Sequence, residues 1–247
     1  MRETRLIMGM PVTIDVVDAP GTDCLDTAFA YFEATDRRFS TYRDVSEISA
    51  INQARLGEAD YSDEMHEVLD LAERTRRETL GYFDIRRRDG TLDPSGIVKG
   101  WAIRNAARLV AAAGARDFFV DAGGDIQPSG RNAEGQEWRV GIRSPFDPAE
   151  IIKVVYPRGH GVATSGTYAR GGHIYDPHDP GHEDVDIVGL TVIGPDILEA
   201  DRFATAAFAM GRPGIGFIEE RPELEGYMVD AGGRATFTSG FEDYCAP

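Results

Sequence analysis

Two oxygen-bearing side chains near the C-terminal end of the chain, Asp201 and Thr205, have the spacing of neighbours on one face of a helix. That helix is predicted to begin near Asp196 and to end at Gly211. A carboxylate and a hydroxyl one turn apart offer two hard oxygen ligands, which Mg²⁺ prefers. The flanking residues are small and apolar, where an unpaired carboxylate is costly. The pattern indicates a magnesium site, although a solvent-facing aspartate with Thr205 bonded to a backbone carbonyl has the same sequence.

The next candidate binding site is a glycine-bearing loop at residues 93–100. It leads into a predicted helix that starts at Lys99. Free N–H groups at a helix N-terminus bind anions, and Lys99 adds a positive charge there. Gly96 has no Cβ, so its backbone carbonyl can come close to a cation. The loop therefore predicts a binding site, although an ordinary strand–glycine–helix corner with a surface lysine has the same pattern.

Two further corners combine glycine with the end of a strand. Gly123 and Gly124 follow a predicted strand, where paired glycines allow either a tight turn or the close approach of a flat ligand. Thr164, Ser165 and Gly166 place adjacent hydroxyls at another strand end, which suits phosphate or ribose contacts and equally suits a turn. Neither corner alone decides between binding and structure.

The candidate base is His173, which lies among apolar residues three positions before Asp176. A neutral imidazole can take a proton from a hydroxyl nucleophile, although a single histidine on a strand is also a common structural residue. Tyr42 follows a predicted helix exit, where its ring either stacks on an aromatic ligand or holds the loop against the core.

The composition limits the class of protein. The chain has 247 residues, 42% of them apolar, and a formal net charge of −16. This acidity argues against general binding of nucleic acid or anionic membranes. No stretch approaches the roughly 20 apolar residues of a membrane span, and no signal peptide is evident. The two isolated cysteines, Cys24 and Cys245, favour a reducing compartment. We therefore expect a cytoplasmic protein without membrane insertion.

The helices and strands that position these residues are predicted from the periodicity of apolar residues and from glycines that end each segment. Helices are predicted over 22–39 and 47–56, from a cap at Ser62 to a stop at Gly81, and over 99–113. Strands are predicted at 6–17, 118–120, 138–142, 151–156, 161–164, 187–193, 226–229 and 235–238. Helices early in the chain followed by runs of strands predict an α+β fold with mostly antiparallel sheet. Residues 1–247 are expected to form one domain of two intimate lobes.

The order of these motifs resembles the family of FAD:protein FMN transferases, the ApbE-like flavin transferases. The resemblance extends over nearly the whole chain. It rests on Met8-Gly9, Phe39–Tyr42 with Ser46–Ile48, Gly81–Asp84, residues 93–100, Ala122–Asp125, Trp138–Ile142, Thr164–Gly166, His173–Pro177, and Ala200-Asp201 with Thr205-Ala206.

The resemblance implies a bilobal α+β fold with FAD in the groove between the lobes. It implies Mg²⁺ held by Asp201, Thr205 and a backbone carbonyl at Gly96. The reaction would transfer FMN from FAD to a Thr or Ser hydroxyl of an acceptor protein through a phosphoester bond, releasing AMP. His173 would be the base, and Tyr42 would stack on a ring of FAD. The residues expected to bind FAD are Met8, Tyr42, Asp84, Gly96, Lys99, Gly123, Gly124, Thr164, Ser165, Gly166, His173 and Asp176.

This chain differs from the family pattern mainly after Pro177, where residues 178–181 replace the usual Arg-Thr-Gly. The segment between Asp84 and Asp93 is also shorter than usual. Three alternatives therefore remain open. The first is a magnesium-dependent FAD pyrophosphatase, in which water replaces the acceptor hydroxyl. The others are a non-catalytic FAD-binding protein and a structural protein with the same fold.

Overall fold

The computed structural model describes residues 1–18, 21, 23–167, 178 and 186–246. Its helices are α1 (Asp23–Phe39), α2 (Glu47–Asn52), α3 (Asp63–Glu78), α4 (Ser95–Ala112), α5 (Ile197–Ala209) and α6 (Gly214–Glu219), with short 3₁₀ turns at Glu58–Asp60 and Phe241–Tyr244. Its strands are β1 (Arg2–Ile7), β2 (Met10–Val16), β3 (Phe118–Ala122), β4 (Asp125–Ser129), β5 (Val140–Arg143), β6 (Ile151–Val155), β7 (Gly161–Gly166), β8 (Ile187–Gly194), β9 (Glu225–Asp230) and β10 (Ala235–Phe237).

The strands form one large sheet and one separate hairpin. The sheet has eight strands in the order β1-β2-β3-β4-β7-β8-β9-β10, and every neighbouring pair is antiparallel. Strands β5 and β6 pair only with each other. The predicted α+β fold with antiparallel sheet is therefore confirmed. The prediction of two intimate lobes stays a prediction.

The sheet is buried on both faces where its central strands run. Ala163 and Val192 belong to the larger core cluster, which includes the buried faces of α1, α4 and α5. Their chain neighbours Val162 and Ile193 belong to a second cluster with the β5–β6 hairpin. Because side chains alternate along a strand, these neighbours point to opposite faces of the sheet. The fold is thus helices on one face and a small hairpin on the other.

Local sequence signals explain where the helices begin and end. The Ser62 hydroxyl accepts a hydrogen bond from the Met65 N–H at 3.2 Å, and the Asp196 carboxylate accepts one from Glu199 N–H at 3.0 Å. Both contacts satisfy a donor that the first helical turn leaves free. Gly211 closes the α5 segment with φ +65°, the left-handed conformation that favours glycine.

The structure corrects three of the predicted elements and adds two that were not predicted. The strand predicted over 6–17 is two strands, because Met8 and Gly9 both take positive φ and form a two-residue hairpin turn. Strand β4 was missed, since Pro128 interrupts its pattern. Helix α6 was missed because glycines punctuate it, and α4 begins four residues earlier than predicted. Strand β5 begins at Val140, two residues later than predicted.

No helix among the described residues is both long enough and apolar enough to cross a bilayer.

Close contact between α4 and α5 yields a prediction at Gly100. A Cβ there would lie 2.8 Å from the Asp201 Cβ and 3.1 Å from the Ile197 carbonyl oxygen. We expect Gly100→Ala to destabilise the fold by about 1–3 kcal/mol, the usual cost of overpacking, in urea unfolding. Gly216→Ala in α6 is the matched control, because a Cβ there meets nothing within 4 Å. Equal stability of the two variants would contradict this account of the contact.

Candidate functional site

The α4–α5 contact brings together the three residues predicted to hold a metal. A Cβ on Gly96 would lie 3.7 Å from the Thr205 Cγ2 atom, and Gly100 lies against Asp201 one helical turn further along. Glycine at both positions lets the helix backbones approach closely. The backbone at Gly96 and the side chains of Asp201 and Thr205 therefore lie on the same part of the contact.

Asp201 is buried, with 2% of its surface exposed, and both its oxygens have partners. Its Oδ2 accepts a hydrogen bond from the Gly100 N–H at 2.8 Å, and its Oδ1 lies 3.3 Å from the Lys99 ammonium. The same ammonium pairs with Asp125, which is also 2% exposed. Asp125 in turn accepts a hydrogen bond from the Thr164 N–H at 3.0 Å. We refer to Lys99, Asp125 and Asp201 as the acidic cluster.

The acidic cluster carries two carboxylates for one ammonium. Burial raises the pKa of Asp201, Lys99 opposes it, and the Asp125 charge adds to the rise, so that the resulting pKa is about 7. Burial alone would lower the pKa of Lys99, but the two carboxylates outweigh it and raise that pKa above its ordinary value. The cluster is thus short of one positive charge when all three groups are ionised, which favours a further cation beside Asp201.

The donor set suits Mg²⁺. Within the described residues the Thr205 hydroxyl makes no hydrogen bond, so it is available as a ligand. No group of three or more His, Cys, Asp or Glu side chains in the described ranges is arranged to hold a metal. A cation here would therefore have few protein ligands, namely Asp201, Thr205 and the Gly96 carbonyl. Mg²⁺ accepts such a site because it keeps several waters and binds substrate phosphates.

Lys99 makes contacts that the sequence did not predict, and its predicted role in ligand binding stays a prediction. The sequence predicted that its ammonium binds an anionic ligand, whereas in the structure it pairs with two buried carboxylates. Asp125 was not predicted as a site residue at all. The feature of the sequence that could have identified Asp125 is its position directly after the paired glycines. It opens β4, a strand that was also not predicted.

The glycine and hydroxyl corners lie at the same end of the central strands as the acidic cluster. These strand ends together form the edge of the sheet described below. Gly123 and Gly124 take φ values of +65° and +98° and make the tight turn between β3 and β4. This edge also includes the end of β7, where Thr164 and Gly166 pair with β8 and Ser165 is buried. The Thr164 hydroxyl bonds to that of Thr191 at 2.8 Å, so it is engaged inside the sheet.

Met8 belongs to the same edge. It lies in the β1–β2 turn, is half-buried and packs against the core. Strand β2, which follows this turn, lies beside the glycine corner: the Gly123 N–H donates to the Pro11 carbonyl at 3.0 Å. A Cβ on Gly123 would also lie 3.0 Å from the Met10 sulfur. Met8 and the paired glycines are therefore neighbouring turns.

Two predicted FAD-binding residues, Tyr42 and Asp84, are exposed. Tyr42 is 91% exposed, so the structure does not use its ring to hold the loop on the core. Asp84 is exposed and accepts a hydrogen bond from the Arg86 N–H at 2.8 Å. Its chain neighbour Phe83 is buried, and the ring lies 3.2 Å from the position of a Cβ on Gly96. Asp84 thus follows directly after a residue that packs beside Gly96.

The predicted base, His173, and its neighbour Asp176 lie outside the described residues. His178 is described: its Nε2 donates to the Leu80 carbonyl at 3.0 Å, and its ring meets Tyr82 edge-to-face at 4.6 Å. Residue 178, where this chain departs from the family pattern, therefore contacts the loop that leads to Phe83 and Asp84.

The comparisons with known proteins decide the family. The sequence model of the ApbE family matches residues 8–88 and 85–228. The chain belongs to the ApbE family. This match confirms the resemblance that the ordered motifs indicated.

Two curated relatives carry the name FAD:protein FMN transferase. The protein of Salmonella typhimurium is 31% identical over 165 residues, which cover 63% of this chain and 46% of the relative. That of Escherichia coli K12 is 33% identical over 147 residues, covering 56% of this chain and 42% of the relative. The chain therefore matches less than half the length of these curated relatives.

Solved structures share the fold over the whole chain. The flavin transferase ApbE from Vibrio cholerae superposes with a TM-score of 0.86 at 22% identity, covering 99% of this chain and 98% of that one. The ApbE protein from Thermotoga maritima gives a TM-score of 0.88 at 19% identity, covering 100% and 99%. At such identities the likeness establishes the architecture alone.

The pairing in the acidic cluster yields a stability prediction. We expect Lys99→Met to lower the free energy of unfolding by about 3–5 kcal/mol, because it leaves two buried carboxylates without their cation. Lys153→Met is the control: Lys153 lies on β6 with its ammonium 5.9 Å from the Phe237 ring, and its loss should cost less than about 1 kcal/mol. Urea unfolding at neutral pH measures both, and similar losses would refute the pairing.

Proposed function

We propose that this chain catalyses magnesium-dependent transfer of FMN from FAD to a Thr or Ser hydroxyl of an acceptor protein. The product would be a phosphoester-linked flavin, with release of AMP. One observation carries the proposal: the Asp201 carboxylate, the free Thr205 hydroxyl and the Gly96 backbone lie together at the α4–α5 contact. The names of the curated relatives support the same activity.

Asp201, Thr205 and the carbonyl of Gly96 would hold the magnesium ion. When bound there, Mg²⁺ would neutralise charge on the diphosphate oxygens of FAD as a Lewis acid. Lys99 and the Gly100 N–H keep the Asp201 carboxylate oriented, so the ligand oxygen does not have to be positioned when the metal arrives. Asp125 anchors the Lys99 ammonium from the opposite side.

FAD would lie along the sheet edge that carries the acidic cluster. Its phosphates would approach the start of α4, and the turn at Gly123 and Gly124 would allow close contact with a flat ring. Tyr42 is the proposed stacking partner, since its ring is exposed and free of the core. Met8, Asp84, Thr164, Ser165, Gly166 and Asp176 complete the proposed FAD-binding set.

His173 is the proposed general base. The acceptor hydroxyl oxygen would attack the phosphorus on the FMN side of the diphosphate, forming the new P–O bond. The P–O bond to AMP breaks, and AMP leaves with that bonding electron pair. The hydroxyl proton passes to the His173 imidazole, which must be neutral to accept it.

An FAD pyrophosphatase would use the same phosphorus chemistry with water as nucleophile. The altered segment at 178–181 is the observation that favours this alternative, because it begins five residues after the proposed base. A non-catalytic FAD-binding protein would have no need of a magnesium site. We also propose a cytoplasmic location, which the free thiols of Cys24 and Cys245 support.

The proposed metal site can be tested in the transfer reaction. We expect mass spectrometry of a candidate acceptor, incubated with the protein, FAD and Mg²⁺, to show the added mass of FMN. Asp201→Ala should abolish magnesium-dependent turnover of FAD, and Thr205→Val should weaken metal binding less, because it removes a neutral ligand. Asp243→Ala, at an exposed position, is the control and should keep full activity.

Each alternative gives a different result in this experiment. AMP and FMN released without a labelled acceptor would establish the pyrophosphatase. FAD binding without turnover in wild type would establish a carrier. Full activity of Asp201→Ala at low magnesium would remove Asp201 from the metal site.

The proposed base leads to a second kinetic prediction. We expect His173→Ala to leave FAD binding nearly intact and to slow transfer roughly 10²–10⁴-fold, the usual contribution of a general base. Transfer by the wild type should fall at low pH as the imidazole becomes protonated. An unchanged rate and pH profile in the variant would move the role of base to another group, with Asp176 the next to test.

A further inference from the structure

A cavity lies between α4 and the sheet, away from the acidic cluster. Its volume is about 500 Å³, within the range of small-molecule sites. Its walls come from the second half of α4, the end of β4 and the residues that precede β7 and α5. These are the opposite ends of the same strands and helices that carry the acidic cluster. Arg108 lies nine residues beyond Lys99 on α4, about 13 Å along the helix axis.

The cavity is positively charged in a chain whose net charge is −16. Four guanidinium groups line it, from Arg104, Arg108, Arg131 and Arg158, against two carboxylates, from Glu137 and Asp196. The surplus is two positive charges. We refer to this cavity as the arginine cavity.

Both carboxylates already have partners. Glu137 pairs with Arg158 at 3.3 Å, and Asp196 accepts the capping hydrogen bond from Glu199 N–H. The Asp196 charge also acts on Arg104. The acidic groups of the wall therefore leave other guanidinium groups uncompensated.

The uncompensated donors belong to three arginines. Arg108 is exposed and forms no hydrogen bond or ion pair within the described residues. The Arg131 guanidinium donates to the Gly135 carbonyl at 2.9 Å but pairs with no carboxylate among those residues. The Arg104 guanidinium pairs with Glu67 through Nη2 at 3.4 Å, but its Nε is buried and lacks a hydrogen-bond partner among those residues. Burial lowers the pKa of Arg104, and the like charge of Arg108 lowers it further.

A buried donor without a hydrogen-bond partner is costly, and the two exposed guanidinium groups of Arg108 and Arg131 add positive charge beside it. A bound anion would satisfy the donor and offset this charge at once. Planar guanidinium groups bind phosphate through paired hydrogen bonds, and a phosphate monoester carries nearly two negative charges at neutral pH. Its three free oxygens can serve several guanidinium groups together, whereas a carboxylate has two. Part of the remaining wall is apolar and would contact an organic body: it includes Ala107, Ala111, Phe118 and Pro128.

We propose that the arginine cavity binds the phosphate group of a small organic phosphate monoester, at a site separate from the FAD groove. Arg108 and Arg131 would hold the phosphate from the outside, and Arg104 would donate from within. The apolar wall would contact the organic body of the ligand.

Titration calorimetry with phenyl phosphate tests this site. The full-length chain is used with a chelator present, which keeps magnesium from contributing. We expect one binding site per chain, with weaker binding of both inorganic phosphate and benzoate. Arg108→Gln should weaken phenyl phosphate binding roughly ten- to a hundredfold, the worth of one charged hydrogen bond. Arg108→Lys should recover part of the loss, because it restores the charge without the planar fork.

Arg37→Gln is the matched control, since it removes the same charge from an exposed position on α1. It should bind phenyl phosphate as wild type does. The fold is checked by thermal unfolding, which Arg108→Gln should leave unchanged because Arg108 has no partner to lose among residues 1–18, 21, 23–167, 178 and 186–246. Arg131→Gln gives an independent second variant.

Four results would overturn the proposal. They are no binding by wild type, equal binding by wild type and Arg108→Gln, displacement of phenyl phosphate by FAD, and benzoate binding as tight as that of phenyl phosphate. Failure of FAD turnover would not affect this test, because no arm of it uses the transfer reaction.

Discussion

The Lys99 ammonium between two buried carboxylates is the interaction on which the proposed site depends. Its partners come from distant parts of the chain: Asp125 opens β4, and Asp201 lies in the middle of α5. Burying either carboxylate alone would be costly, so the three groups are stable only together. Each partner thereby fixes the position of the other two. The result joins α4, α5 and the sheet at one point, next to the oxygen atoms proposed to hold magnesium.

This arrangement requires helices that approach each other unusually closely. Asp201 reaches the α4 backbone because Gly100 has no side chain, and its Oδ2 accepts the Gly100 N–H directly. The contact extends one turn to Gly96 and Thr205. A carboxylate so held has little freedom left to lose when a cation binds. Preorganisation of this kind lowers the entropic cost of binding. The close helix contact and the proposed metal site are therefore one structural feature.

Residue spacing and capping rules predicted the features that depend on residues close together in the sequence. The spacing of Asp201 and Thr205 placed both on one helical face, and glycine and capping residues set the ends of the longer helices. Contacts between distant segments were beyond such rules. Nothing near Lys99 indicates that its ammonium meets Asp125 rather than a ligand, because that contact exists only once β4 pairs into the sheet. Met8 shows the same limit on a smaller scale: apolar alternation continued through the turn, so two strands were taken for one.

Charge is distributed along α4 and α5 in a way that the net charge of −16 hides. At one end, the acidic cluster gathers negative charge near the start of α4. At the other, the arginine cavity gathers positive charge near the start of α5. The α4 dipole favours this distribution of side-chain charge, because its positive N-terminus faces the acidic cluster and its negative C-terminus lies on the side of the arginine cavity, where it would not attract anions. At the start of α5, Asp196 and the Gln127 side chain already accept the free N–H groups. The attraction of the cavity for anions must therefore come from its guanidinium groups. Because the same two helices connect both ends, they would keep the proposed cation site and the proposed anion site apart.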